Sequence, residues 1–274
     1  MKILVNRMGA RGDVLAATGI LPALKKKYPD SKVDFKTDFP DILYNNEYID
    51  RLIFEAPPTD YDLYIDLDMS YENRPTENIM DVYADVAKVD VADCKTYINC
   101  SQVNKELFKD YVVVHAGNTN WAGRNWIPSR FKELGIKIHN SGHQIICVGS
   151  QDDNFVPCDS DTRGKTTIGQ LATIIKDCKL FVGIDSLPMH IAQVFNKNGV
   201  VFFGSIKPET RIYTKNIKTV NDTSLPCIGC HHKKMSAINT TDCMTQTLDC
   251  EKNIGVETMW KVVDQLLSNT ESWQ

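Results

Sequence analysis

Leu180-Phe181-Val182-Gly183-Ile184-Asp185-Ser186-Leu187-Pro188-Met189-His190 is the stretch on which the fold turns. Its apolar run from Leu180 to Gly183 suits a strand buried on both faces. Asp185 and Ser186 then offer cap side chains, and Pro188 fits a first helical turn. Strand, short polar turn and helix make half of a βα unit, and the same grammar repeats on either side. Upstream, 111–115 and 144–148 read as strands, with helices near 129–139 and 168–177. Downstream, a helix near 187–196 leads into a strand at 200–203. Strands that alternate with helices and consist of Val, Ile and Phe runs predict a parallel sheet covered on both faces.

The opening of the chain follows the same pattern. Lys2-Ile3-Leu4-Val5 runs into Gly9 and Gly12, and Val14 to Leu24 reads as one helix. Lys25-Lys26-Lys27 then sits against the negative end of the helix dipole, and Pro29 stops it. Further strands are expected at 33–35, 52–54 and 63–65, and a helix over 79–89. The predicted class is α/β, with two Rossmann-like doubly wound domains facing a cleft. Residues 1–105 form the first domain and 106–255 the second, which carries a Cys-rich loop at 227–250. A closing helix over 256–274 has the first domain as a surface on which to pack.

Composition excludes several classes. Of 274 residues, 42% are hydrophobic and 24% charged, which sets aside disorder, collagen and coiled coil. Lys and Arg number 31 against 35 Asp and Glu, a net charge of −4, so nothing global draws the chain to nucleic acid or anionic lipid. No apolar run approaches the ~18–20 residues of a membrane span. Arg7, Arg11 and Asp13 interrupt the N-terminal apolar stretch, which excludes a secretory core there. The nine cysteines are odd in number and five are scattered (Cys94, Cys100, Cys147, Cys158, Cys178), which suits a reducing compartment. The expectation is a cytoplasmic protein.

Three segments carry chemistry. Gly9-Ala10-Arg11-Gly12-Asp13 puts a carboxylate at a helix start beyond a strand, where it either caps the helix or serves as a general base. Asp185 to His190 opens a helix at the carboxyl end of a parallel sheet. There, free amides and the positive dipole end favour phosphate, and His190 can donate to a phosphate oxygen. The bland alternative makes His190 a core histidine and Asp185 a cap. His115-Ala116-Gly117-Asn118-Thr119-Asn120-Trp121-Ala122-Gly123-Arg124-Asn125-Trp126 combines glycines, amides, a hydroxyl and a forked cation, an inventory that fits a diphosphate. It reads equally as a connection whose tryptophans pack on the domain.

The remaining cysteines, Cys227, Cys230, Cys243 and Cys250, have the spacing of a closed tetrahedral site. Four thiolates suit zinc or iron, with His231 and His232 as substitutes, and free thiols or disulfides as the competing reading. No residue of that loop is placed to activate water, so the expected metal is structural.

Together these segments resemble glycosyltransferase family 9, the lipopolysaccharide heptosyltransferases, along nearly the whole chain. Lys2 to Val5 with Gly12-Asp13-Val14-Leu15, then Leu21-Pro22-Ala23-Leu24 and Tyr28-Pro29, look like the family's opening. Asp62 to Leu67 is similar to an internal strand of its first domain. Arg124-Asn125-Trp126-Ile127-Pro128 matches its basic-x-Trp-Pro segment. Leu180 to Ala192, followed by Val201-Phe202-Phe203-Gly204-Ser205, is the most specific match.

The resemblance implies a GT-B fold and an inverting transfer from a nucleotide-diphospho-sugar, heptose by default, without a catalytic metal. On that analogy Asp13 is the base, and Arg124, Asn118, Thr119, Asp185, Ser186, His190 and Gly204 bind the donor. Arg11, Gly12 and Asp68 lie on the acceptor side, and the loop Asp68-Met69-Ser70-Tyr71-Glu72-Asn73, which follows a first-domain strand, is expected to touch the acceptor. The acceptor is left open among a lipopolysaccharide core sugar, a protein serine and a hydroxymethylated DNA base. A non-catalytic nucleotide-sugar-binding module is the rival from another class. The sequence departs from the family in three places. Arg124 stands where lysine is common, Leu187 replaces the glycine after Asp185-Ser186, and the first domain is short.

Overall fold

A computed structural model describes residues 1–54, 60–101, 107–231 and 242–271. The chain divides into two compact units, Met1–Asn99 and Cys100–Gln274. The boundary predicted after residue 105 falls among residues outside the described ones.

The first unit holds a four-stranded sheet of β1 (Lys2–Asn6), β2 (Lys32–Lys36), β3 (Arg51–Ile53) and β4 (Leu63–Asp66), in the order β3-β2-β1-β4. All its pairings are parallel. The single helix expected from Val14 to Leu24 is two helices, α1 (Arg11–Ala17) and α2 (Ile20–Lys27). Pro22 has no N–H to donate back to Thr18, so the ladder is broken there. The Thr18 carbonyl instead accepts from Leu21 N at 3.1 Å, and the Thr18 hydroxyl turns to Leu15 O at 2.7 Å. Lys25, Lys26 and Lys27 do occupy the last turn of α2. Asn78 caps α3 (Ile79–Ala87) by accepting from Met80 N at 2.9 Å.

The second unit has a six-stranded parallel sheet: β5 (Tyr111–His115), β6 (Gln144–Cys147), β7 (Ser160–Asp161), β8 (Leu180–Ile184), β9 (Gly199–Phe202) and β10 (Ile217–Val220). Its order is β10-β9-β8-β5-β6-β7. Counted within the unit, this is the doubly wound order 3-2-1-4-5-6. The helices are α4 (Pro128–Asn140), α5 (Ile168–Asp177), α6 (Leu187–Val194), α7 (Asp249–Lys252) and α8 (Val256–Glu271). Sequence periodicity missed β7 and β10. β7 has two residues and no apolar run, and β10 (Ile217-Lys218-Thr219-Val220) carries polar residues in its middle.

The closing helix corrects an expectation. α8 does not belong to the first unit: Val256, Met259, Val263 and Leu267 lie in the hydrophobic core of the second, and α8 packs on α4 and on β8, β9 and β10. Their 3–4-residue spacing makes one apolar stripe, and this sheet supplies the apolar surface that it covers. Trp126 locks the arrangement. Its ring is 0% exposed, meets Phe131 edge-on at 5.0 Å, and donates Nε1–H to Ile254 O at 2.8 Å.

Trp126→Ala removes both the ring and the bond that seats the approach to α8. It should lower the unfolding free energy by about 3–5 kcal/mol in urea denaturation. Trp126→Phe keeps most of the ring and leaves the Ile254 carbonyl with Arg130 Nη1, at 2.7 Å, as its remaining donor, so the lost bond should cost only about 0.5–1.5 kcal/mol. Equal losses would mean that the ring kept by phenylalanine contributes nothing.

Candidate functional site

Each sheet has one place where its strand order reverses, and there the connections leave a crevice at the carboxyl ends of the strands. In the first unit that place lies between β1 and β4. Arg7 follows β1 directly, is 3% exposed, and its guanidinium binds three groups. Nη2 donates to Asp13 Oδ2 at 2.8 Å and to Glu72 Oε1 at 2.5 Å; Nη1 donates to Leu67 O at 3.0 Å. Burial opposes its charge, but Tyr83, Glu72 and Asp13 outweigh that and raise its pKa. The Tyr83 hydroxyl beside it is buried without a hydrogen-bond partner. Burial, and then the Asp13 charge, push that phenol's pKa up.

Asp13 is the third residue of α1 and helps to cap it from there, accepting from the backbone N–H of Ala10 at the N-cap position. Its Oδ2 accepts from Arg7, from the Tyr71 hydroxyl at 3.1 Å and from Ala10 N at 3.3 Å. None of these bonds falls on Oδ1, and the side chain is 16% exposed. The carboxylate is thus clamped by one oxygen and open at the other. Of the acceptor-side residues, Asp68 braces the strand ends, accepting from Met8 N at 2.7 Å and Asn6 Nδ2 at 3.1 Å. Arg11 pairs with Asp41 at 3.1 Å and lies over the Phe39 ring. Gly12 is in the first turn of α1.

In the second unit the order reverses between β5 and β8, and His115 and Ser186 lie at their ends. Ser186 holds the N-cap position of α6 in extended backbone, but its hydroxyl makes no cap bond. It lies 3.0 Å from His115 Nδ1 instead. His115 Nε2 lies 3.1 Å from Asp153 Oδ2, which also accepts from Ser150 N at 2.7 Å. Arg124 Nη2 reaches Asp185 Oδ2 at 3.1 Å and Asp185 O at 3.0 Å, with its guanidinium over the Trp121 ring. Arg124 Nε is buried and unpaired.

Other predicted donor residues are engaged locally. Asn118 Nδ2 donates to Asp152 O at 2.9 Å, and Thr119 Oγ1 accepts from Trp121 N at 3.2 Å, so both shape the loop. His190 is 3% exposed, stacked on Tyr213 with Nδ1 3.4 Å from its hydroxyl, which is the packing role left open for it. Gly204 is needed for a backbone approach: a Cβ there would stand 2.4 Å from Gly123 O.

None of the nine cysteines, all of them among the described residues, is in a disulfide. Among the described residues no three His, Cys, Asp or Glu side chains form a group able to hold a metal ion. His232 lies outside the described residues, and His231 packs its ring on Trp121 at 4.5 Å. Burial, Glu251 and then Cys230, Cys243 and Cys227 push the Cys250 thiol up to about 12. At Cys243 burial is outweighed by bonds from Thr245 and from backbone amides, which lower the thiol to about 7. A cavity of about 510 Å³ lies between this segment and the loop of Thr119, Trp121 and Asn125.

Sequence reading missed Arg7 and Asp153, and it reached Tyr71 and Glu72 only as members of the loop after a first-domain strand. A charged residue directly after a buried strand, as Arg7 is after Val5-Asn6, was the available signal. Asp153 lies in a loop and gave none.

The model of glycosyltransferase family 9 (heptosyltransferase) matches residues 72–240. A lipooligosaccharide heptosyltransferase 2 of Campylobacter jejuni is 26% identical over 168 residues, 53% of this chain and 52% of that protein. A lipopolysaccharide heptosyltransferase 3 of Escherichia coli K12 is 25% identical over 143 residues, 46% and 40% of the two chains. The chain therefore spans about half or less of these curated relatives. A family 9 glycosyltransferase from Veillonella parvula has a TM-score of 0.75 at 17% identity, covering 98% of this chain and 97% of that one. The iron-containing dodecameric glycosyltransferase TibC of enterotoxigenic E. coli has a TM-score of 0.78 at 14% identity, covering 98% and 77%. TibC has also been solved with ADP-D-β-D-heptose. These likenesses fix the fold as GT-B, and with its strand order, its two carboxyl-edge crevices and the family match, the chain belongs to glycosyltransferase family 9, the heptosyltransferases.

Proposed function

We propose that this chain transfers heptose from ADP-heptose to a saccharide hydroxyl of a lipopolysaccharide or lipooligosaccharide, with inversion and with Asp13 as general base. The observation that carries this reading is the division within the Asp13 carboxylate. Oδ2 takes three donors, which fix the group's orientation, while Oδ1 keeps its lone pairs for a proton. The acceptor hydroxyl loses its proton to Oδ1 as its oxygen bonds to the anomeric carbon. The bond from that carbon to the diphosphate breaks in the same displacement, which inverts the centre.

The leaving diphosphate needs donors fixed beforehand. Support for the second crevice comes from Arg124, the Ser186 hydroxyl and the opening amides of α6, with His190 one turn in. Pro188 contributes no amide, so Leu187 and Met189 supply those of the first turn. ADP-heptose is favoured because a relative of the same fold is solved with it, and a lipid-borne saccharide because the curated relatives carry that name.

For the cysteine segment we propose one structural zinc or iron held by Cys227, Cys230, Cys243 and Cys250. Support comes from the spacing and thiolate chemistry of these cysteines, and from the rise that Cys230, Cys243 and Cys227 cause at the Cys250 thiol, which a bound cation would relieve. Such an ion would staple the loop and take no part in transfer.

Incubation of the protein with ADP-heptose and pooled acceptors, read by mass spectrometry, should show heptosylated product and release of ADP. Asp13→Ala should lower kcat by about 10²–10⁴-fold while its ADP Kd stays near the wild-type value. Turnover undiminished in that variant would refute the base assignment.

Elemental analysis of protein purified without chelators should find about one zinc or iron per chain. The double variant Cys227→Ser, Cys230→Ser should lose it and melt at a lower temperature. Wild-type protein without either metal would remove the staple.

A further inference from the structure

The proposed chemistry uses Ser186 at the second switch point but leaves unused the two side chains behind it. Ser186 Oγ meets His115 Nδ1 at 3.0 Å, and His115 Nε2 meets Asp153 Oδ2 at 3.1 Å. The His115 and Asp153 side chains are 6% and 13% exposed, whereas Ser186 is half-buried. Room for the contact depends on Gly149, in the left-handed region at φ 131°. A Cβ there would stand 2.2 Å from Asp153 Oδ2 and 2.9 Å from His115 Cδ2. Ser186 also gives up the cap bond that a serine at this position normally makes.

The direction of these bonds follows from Asp153. Burial disfavours its charge, but the bond and charge of His115, the Ser150 amide and Arg163 outweigh that and hold the carboxyl below its usual range. An ionised carboxylate only accepts, so Nε2 carries a hydrogen. The other end of the ring then has two states. With Nδ1 bare, it accepts the Ser186 O–H, and the serine presents only lone pairs to a ligand. With Nδ1 protonated, it donates to Oγ, and the serine hydrogen is released from the ring, with Ile184 O at 3.3 Å as its internal acceptor until a phosphate oxygen takes it.

We infer that Asp153, His115 and Ser186 form a proton-coupled phosphate sensor, in which docking of the donor diphosphate draws one proton onto His115 and turns the Ser186 O–H toward a phosphate oxygen. The proton comes from solvent, one N–H bond forms at Nδ1, and nothing is oxidised or cleaved. The charged group that meets His115 is Asp153, and Arg163, which acts on that carboxylate, is tied to Asp161. The imidazolium would sit between Asp153 and the incoming anion, both of which favour it. Because the bound state holds the extra proton, affinity rises as pH falls, by at most about tenfold per pH unit. The inference rests on the reading of this crevice as the diphosphate site.

Calorimetric titration of ADP near about pH 7, in two buffers of different ionisation enthalpy, tests it. Wild-type protein should take up protons as it binds ADP, more than His115→Gln does. Asp153→Asn should also reduce the uptake, and circular dichroism should show both variants folded. Heats that do not depend on the buffer, or equal uptake in wild type and His115→Gln, would overturn the sensor while leaving the donor site intact. Absence of any ADP binding would instead overturn the diphosphate site itself, and the sensor with it.

Discussion

Parallel strands end together, and the constraint that follows governs this protein. Where neighbouring connections run to opposite faces of a sheet, the carboxyl edge is left uncovered. The first sheet reverses between β1 and β4, and the second between β5 and β8. Arg7, Asp13, Tyr71 and Glu72 gather at the one; His115, Asp153, Asp185 and Ser186 gather at the other. These chemistry-bearing side chains come from loops far apart in sequence, and strand order alone brings each set together.

Burial at such an edge forces charges into pairs. An unpaired ion near the core costs far more than the pair returns, so partners are kept even where they add little net stability. Arg7 illustrates this, with two carboxylates and a carbonyl on a guanidinium that is nearly inaccessible. The consequence for Asp13 is geometric: the clamp takes one oxygen and fixes where the other points. Arg124 and Asp185 repeat the device on the second sheet, with one difference. Arg124 retains a buried unpaired Nε, so its hydrogen-bonding capacity is not exhausted by its internal partner.

The fold was legible because its cues are local. Apolar runs of four or five residues bounded by glycine and proline marked most strands of the second sheet, and Lys25-Lys26-Lys27 marked the end of α2. Errors came where the deciding partner was distant or the cue small. The break at Thr18 depends on one missing N–H at Pro22, and the docking of α8 depends on which sheet had an uncovered apolar face. The sites were half legible for the same reason. Asp13, Asp185 and Ser186 sit beside strand ends and helix starts that can be read from the sequence. Glu72 and Asp153 reach their partners only through the folded chain, 65 and 38 residues away.

The cysteine segment and the donor-side loop are mechanically one piece. Gly123 N donates to Glu251 Oε1 at 2.8 Å, immediately after Cys250, and Gly123 O accepts from Ser205 N at 2.8 Å. Gly204 admits that carbonyl only because it has no side chain, and Cys250 Sγ lies against the same spot. Trp121 closes the group by packing on His231, next to Cys230, and it also lies under the Arg124 guanidinium. A staple on residues 227–250 would therefore hold Gly123, Trp121 and Arg124 in place without touching a substrate. Loss of that staple would loosen Gly123, Trp121 and Arg124 before it unfolded the sheet, because β5 and β8 are held by their own ladders. The cysteine loop and the crevice are coupled through the Gly123 backbone, the Glu251 carboxylate and the Trp121 ring.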